Sequence, residues 1–270
     1  MSPSFKYTYL ILVVSAISFL VSCNSSLEQK IDKKEYQLVW SDDFSGAAGQ
    51  LPDATKWTYD LGNNNGWGNQ ELQTYTNNPA NVSLDGNGNL VLTALRNGAN
   101  YTSARIKTQN LFSQAYGKFE ARLITPYGTG LWPAFWLLGA NSNTVIWPQC
   151  GEIDIMELRG QLPSTANCAI HGPGYSAGNA LSGSYTLFNS RYDVDYHIFA
   201  VEWTENQIDF YIDNYLYRRI QKSDVPGQWV YDHPFFMILN IAVGGNYLGN
   251  PNSQTPFPQK MIIDYVKVYQ

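Results

Sequence analysis

Charged side chains are scarce in this 270-residue chain. Asp, Glu, Lys and Arg make up 14% of it, and 17 bases against 22 acids leave a formal charge of −5. A disordered chain would be rich in charge and poor in aromatics. Here 14% is aromatic and 44% hydrophobic, so a packed core is expected. The mild acidity gives no electrostatic reason to bind nucleic acid. His and Cys number three each. No C-x-x-C, H-x-x-x-H or Cys/His cluster occurs, which argues against a redox dithiol and a catalytic zinc. Gly86-Asn87-Gly88 lacks the following helix of a nucleotide site, and no Ser-His-Asp arrangement stands out. Beyond the N-terminal apolar run, no stretch holds a 3.6-residue apolar period over three turns, which excludes a coiled coil.

That apolar run, Leu10–Val21, follows Lys6. Twelve residues rise about 18 Å as a helix, short of the roughly 30 Å of a bilayer core. A base, a short apolar core and small residues read as an export signal over residues 1–22. Leu20-Val21-Ser22-Cys23 resembles the lipobox of bacterial lipoproteins, which implies cleavage and lipidation at Cys23. Two or more acyl chains anchor stably, so the expected location is the cell envelope, on a lipid anchor. Residues 23–35 continue as a polar tether. Cys150 and Cys168 remain, either bridged or as two buried thiols.

Residues 36–270 carry no repeat or composition break and read as one domain, with a monomer as the default. Strand signals recur along them, bounded by Gly, Asn, Asp and Pro. Asp213-Asn214 reads as a two-residue hairpin turn. Many short strands imply an all-β sandwich, barrel or jelly roll. Ile238–Val243 is apolar on both faces and is expected to be a covered central strand. A sheet face bearing Trp, Asn, Glu and Arg suits sugars, whose apolar faces stack on aromatics and whose hydroxyls need polar partners.

The most informative segment is Gly151-Glu152-Ile153-Asp154-Ile155-Met156-Glu157-Leu158. Alternation with period two puts Glu152 and Asp154 on one face. Strict continuation would bury Glu157 unpaired, at a cost. One extra residue at Ile155-Met156, a β-bulge, returns Glu157 to the face of the other two acids. Glu152 and Glu157 then lie about 13 Å apart at Cα. Inward-leaning side chains bring the carboxyls within reach of about 5 Å, the spacing of a retaining glycosidase. Asp154 between them would share a proton and push the neighbouring pKa values apart. A solvated acidic edge or a calcium site are the competing readings. A rigid strand offers few of the oxygens that calcium needs.

These residues, GEIDIME at 151–157, resemble the signature of glycoside hydrolase family 16. So do Leu131–Leu138 (LWPAFWLL), Trp67–Tyr75 (WGNQELQTY), Trp40–Phe44, Ser103–Ile106, Ala200–Trp203 and Ile263–Tyr269, in order across 36–270. The extra Met156 and the Trp67–Tyr75 motif resemble the laminarinase branch. The resemblance implies a β-jelly-roll of two curved antiparallel sheets with a concave cleft. It implies retaining endo-hydrolysis of β-1,3-glucan, with mixed β-1,3-1,4-glucan also accepted. It assigns Glu152 as nucleophile, Glu157 as acid/base and Asp154 as assisting carboxylate, with no cofactor in the reaction. Trp132, Trp136, Trp67 and Trp147 would stack on sugars, and Arg105, Glu71 and His171 would hydrogen-bond them or the nucleophile. It also implies a structural calcium from Asp264 with carbonyls near Asp43 and Gly88. His197, His233, Trp57, Trp203 and Trp229 read as structural. The rival functions are a non-catalytic glycan-binding lipoprotein and an agarase- or porphyranase-like hydrolase.

Overall fold

Two sheets face each other in a computed structural model that describes Met1 and residues 35–270. The export signal, Cys23 and most of the tether lie outside the described residues. Among the described residues, no helix is long and apolar enough to cross a membrane. Tyr36–Gln270 forms one compact unit.

The ten-stranded sheet runs in the order Tyr215–Gln221, Gln207–Ile212, His197–Trp203, Gly117–Ile124, Gln259–Tyr269, Leu90–Asn97, Asn100–Ser103, Gln73–Tyr75. Leu38–Asp42 and Val82–Leu84 join off this path. The seven-stranded sheet runs Leu181–Thr186, Thr165–His171, Glu152–Leu158, Leu131–Gly139, Phe235–Val243, Arg105–Lys107, Thr58–Tyr59. This is the anticipated jelly-roll sandwich, with one departure from antiparallel pairing. Gln73–Tyr75 runs parallel to Asn100–Ser103.

Alternation places the core between the sheets. Phe119, Ala121 and Leu123 of one sheet and Phe135, Leu137, Ile153 and Ile155 of the other are fully buried. Trp57 and Trp203 are buried with them, as structural tryptophans should be. Phe235–Val243 is buried at all nine positions, as a covered central strand requires. Asp213 and Asn214 both take positive φ, 50° and 65°, which matches the strand twist in a two-residue hairpin. Cys150 and Cys168 are both buried and free, so the open choice between bridge and thiols falls to thiols.

Candidate active site

The acidic strand carries the bulge that its sequence demands. Asp154 pairs with Trp136, but the next partner of Phe135 is Met156, so Ile155 is the extra residue. Ile153, Ile155 and Met156 all point into the core at 0% exposure. Glu152, Asp154 and Glu157 therefore share the outer face. Pairing extends that face into rows. Glu152 lies between His171 and Leu138, Asp154 between Ala169 and Trp136, and Glu157 between Asn167 and Ala134. The alanines beside the acids leave room above the sheet. Gly151 allows the strand to enter: its φ is +75°, and a Cβ there would meet the Phe235 ring at 2.7 Å.

Burial sets the chemistry of the three acids. Glu152 is pushed up to about 8 by desolvation and then by the Asp154 charge. Asp154 is raised to about 8 by desolvation. Glu157 is raised to about 8 by desolvation and then by Asp154. Three carboxyls this close titrate as one coupled set rather than singly. Trp132 Nε1–H donates to Glu157 Oε1 at 2.9 Å, which leaves Oε2 to carry a proton. Asn167 holds the Glu157 backbone carbonyl at 3.3 Å.

His171 stands beside the other two acids. Its Nδ1 accepts the Ala177 N–H at 3.1 Å, so the single proton of the neutral ring sits on Nε2. Nε2 lies 2.9 Å from Asp154 Oδ2 and 3.6 Å from Glu152 Oε1. The approach to Asp154 is too bent for a hydrogen bond, and Asp154 Oδ2 has none. Glu152, Asp154 and His171 present donor atoms within 4.8 Å of one another. A metal on Nε2 would force the ring proton onto Nδ1, against the Ala177 N–H, so the trio as folded does not suit a metal on that nitrogen.

A second cluster lies along the same face. The Arg105 guanidinium sits 4.9 Å from the Trp67 ring and 4.7 Å from the Trp136 ring. Asp60 neutralises it at 2.9 Å and also pairs with Lys107. Trp136 Nε1–H donates to Asn240 Oδ1 at 2.7 Å, and Asn240 donates to the Tyr75 hydroxyl at 3.1 Å. A cavity of about 480 Å³ joins Glu152 and Trp147 to Trp67, Arg105 and Asp60. Trp147 is 44% exposed and lies 5.9 Å from the His171 ring.

Among the anticipated sugar contacts, Glu71 is turned inward. It is 8% exposed and accepts from Gln73 Nε2 at 2.6 Å, and burial raises its carboxyl. The tryptophans are not bare platforms, since Arg105 covers one face of Trp67 and of Trp136, and Tyr247 stacks on Trp132 at 4.6 Å. The anticipated calcium donors divide. A Cβ on Gly88 would stand 3.8 Å from the Asp43 carbonyl, so those backbones are adjacent. The Asp264 carboxylate is already neutralised by Arg122 at 2.5 Å, and the Asp43 carboxylate accepts from the Ser45 N–H. Calcium there would compete with Arg122 for the Asp264 carboxylate. Sequence reasoning missed Asp60, Tyr75, Asn167, Arg159, Tyr247 and Asn240. Asn240 had a visible signal, a lone amide inside an apolar strand.

Two carboxylates aimed from one strand face of a β-sandwich, with a third between them, define a glycoside hydrolase. Residues 67–267 match the family described as Glycosyl hydrolases family 16, and the chain belongs to that family. It is 38% identical over 269 residues to a beta-glucanase of Rhodothermus marinus, covering 94% of this chain and 92% of that one. It is 36% identical to glucan endo-1,3-beta-glucosidase A1 of Niallia circulans, covering 86% of this chain but 38% of that longer protein. Among solved structures, the laminarinase catalytic domain of Thermotoga maritima is 42% identical with a TM-score of 0.82, covering 88% of this chain and 99% of that one.

Proposed function

We propose that this chain is a retaining endo-β-glucanase that cleaves β-1,3-glucan and accepts mixed β-1,3-1,4-glucan. The observation that carries the reading is the bulge at Ile155, which puts Glu157 on the face of Glu152. In the first step the Glu152 carboxylate attacks the anomeric carbon while Glu157 protonates the departing glycosidic oxygen. In the second, Glu157 takes a proton from water as the water oxygen bonds to the anomeric carbon, and the sugar leaves the Glu152 carboxylate. The Trp132 N–H leaves Glu157 Oε2 as the proton-bearing oxygen. The Nε2–H of His171 faces the charge held by Glu152 and Asp154. As Glu152 is esterified its charge vanishes, and Asp154 receives the positive field that both shared. No step needs a cofactor.

Product analysis with laminarin, barley mixed-linkage glucan, cellulose and agarose, beside Glu152→Gln, tests this. Oligosaccharides from the β-1,3-containing glucans, lost in the variant, are expected. Products from agarose alone would move the activity to an agarase, and binding without products would leave a glycan-binding protein. The lipobox-like Leu20–Cys23 supports a second proposal, that Cys23 is lipidated and holds the enzyme, as a monomer, at the cell envelope. Label from a radioactive fatty acid, retained by the wild type and lost in Cys23→Ala, is the expected result.

A further inference from the structure

Three side chains stack in series at the end of the acidic strand. Trp132 donates its indole N–H to Glu157. Tyr247, from the loop after Phe235–Val243, packs on Trp132 with ring centroids 4.6 Å apart. The Arg159 guanidinium lies 4.3 Å from the centre of the Tyr247 ring. Arg159 is two residues beyond Glu157, just past the last residue of the strand. Its Nε is buried with no hydrogen-bond partner. Among the described residues, no carboxylate comes within ion-pairing distance of it. The two loops are also tied to each other, since Gln161 Nε2 donates to the Leu248 carbonyl at 2.9 Å.

We propose that Arg159, held over Tyr247, is a positioning residue that supplies the permanent positive charge facing the acid/base carboxyl of Glu157 and eases release of its proton to the leaving oxygen. A guanidinium cannot deprotonate, and over an aromatic face it keeps its charge without a counter-ion. Its field therefore acts on Glu157 instead of being cancelled locally. Asp154 and Glu152 on its own strand, His171 on the next strand, Tyr247, Trp132 and Arg159 surround Glu157, and Tyr217 of the opposite sheet interacts with it electrostatically from the core side. Burial and then Asp154 raise its proton affinity, and His171, the Trp132 N–H and Arg159 lower it. The Tyr247 hydroxyl is pushed up to about 12, by burial first and then by the Glu157 charge, as expected where tyrosine and carboxyl share one site.

The inference rests on the reading of Glu157 as acid/base, yet its electrostatic core can be measured without turnover. The Trp132 indole N–H bonds Glu157, so its ¹H–¹⁵N signal reports the carboxyl's titration. That signal would be assigned with Trp132→Phe and followed against pH in the wild type, Arg159→Gln and Arg159→Lys. Arg159→Gln is expected to raise the midpoint by about half a pH unit or more, since an opposite charge favours the ionised form. Arg159→Lys keeps the charge but not the planar stack, and its midpoint is expected in between. Where the enzyme is active, the alkaline limb of kcat/KM on laminarin moves upward in the same order. A midpoint unchanged in Arg159→Gln would overturn the proposal, as would an indole signal that does not titrate. A lower melting temperature with an unmoved midpoint would make Arg159 structural only. If the wild type cleaves no glucan, the hydrolase reading fails, while the titration still decides whether Arg159 acts on Glu157.

Discussion

Arg105 and Arg159 occupy similar seats in this protein and are put to different uses. Both lay a guanidinium against aromatic rings on the face that carries the acids. Arg105 is clasped between two indoles and cancelled by Asp60 at 2.9 Å. Arg159 rests on one tyrosine, with no carboxylate in ion-pair range among the described residues. A neutralised cation of the first kind contributes shape. It fixes Trp67 and Trp136 as walls of the cavity that reaches Glu152. An uncancelled cation of the second kind contributes field. The placement of one aspartate decides which role the motif plays, because a buried charge acts at a distance only when nothing nearby absorbs it.

The sharpest ways to break this contrast start at the acids themselves. Glu152→Gln should lower kcat on glucan by about 10⁴-fold or more while binding persists, since no other group can form the covalent intermediate. Steady-state kinetics with affinity electrophoresis on laminarin would show it. Retained turnover would mean that the field around Glu157 serves no reaction. Next in size is Asp60→Asn. It strands Arg105 and Lys107 without their shared partner, and breaking a pair at 14% side-chain exposure should cost about 3 kcal/mol. Arg159→Gln, which breaks no ion pair and loses only the stack on Tyr247, should cost about 0.5–1 kcal/mol of denaturant stability. If both variants lose stability alike, the two arginines are equivalent and the contrast is false. Smaller again is Trp136→Phe. It deletes the 2.7 Å bond to Asn240 and weakens one wall of the Arg105 clasp, with an expected loss of about 1–2 kcal/mol by urea unfolding.

Much of this was legible before any coordinates. The period-two alternation of Glu152 and Asp154, and the cost of burying Glu157, required a bulge, and it occurs at Ile155. The paired positive φ of Asp213 and Asn214 follows from their residue types. The strands with the weakest sequence signal are short or polar: Thr58–Tyr59, Gln73–Tyr75, Val82–Leu84, Asn100–Ser103, Arg105–Lys107 and Leu181–Thr186. Two or three residues cannot establish a period, and Leu181–Thr186 is polar because neither face is deeply covered. The supporting residues were hidden for another reason. Asp60 reaches Arg105 across 45 residues, and Tyr247 reaches Trp132 across 115. Such partners are brought together by sheet order, which local patterning does not encode. Asn240 is the exception, a polar interruption in an apolar strand whose amide proves to hold Trp136 and Tyr75 together.

The smallest effect concerns stability rather than rate. It separates a site built for function from one built for the fold. Glu157 rises from an ordinary value of 4.5 to about 8 on folding, mainly through burial. Between those values the folded chain holds a proton that the unfolded chain has lost. Stability from this group is therefore fully present below about pH 4.5, declines as pH rises, and is lost above about pH 8. Glu157→Gln keeps an oxygen for the Trp132 N–H and removes the charge. At pH 4 the variant should melt with the wild type. At pH 9 it should melt at least about 2–4 °C higher, the change that about 1 kcal/mol makes in a domain of this size, since the shift of Glu157 supplies at least that even when shared among three coupled acids. Differential scanning calorimetry at the two pH values is sufficient. A difference independent of pH would mean that Glu157 is ionised at no cost, with its neighbours already supplying the charge. A gain confined to alkaline pH would show that the site gives up stability to keep a protonated acid where a leaving oxygen can reach it.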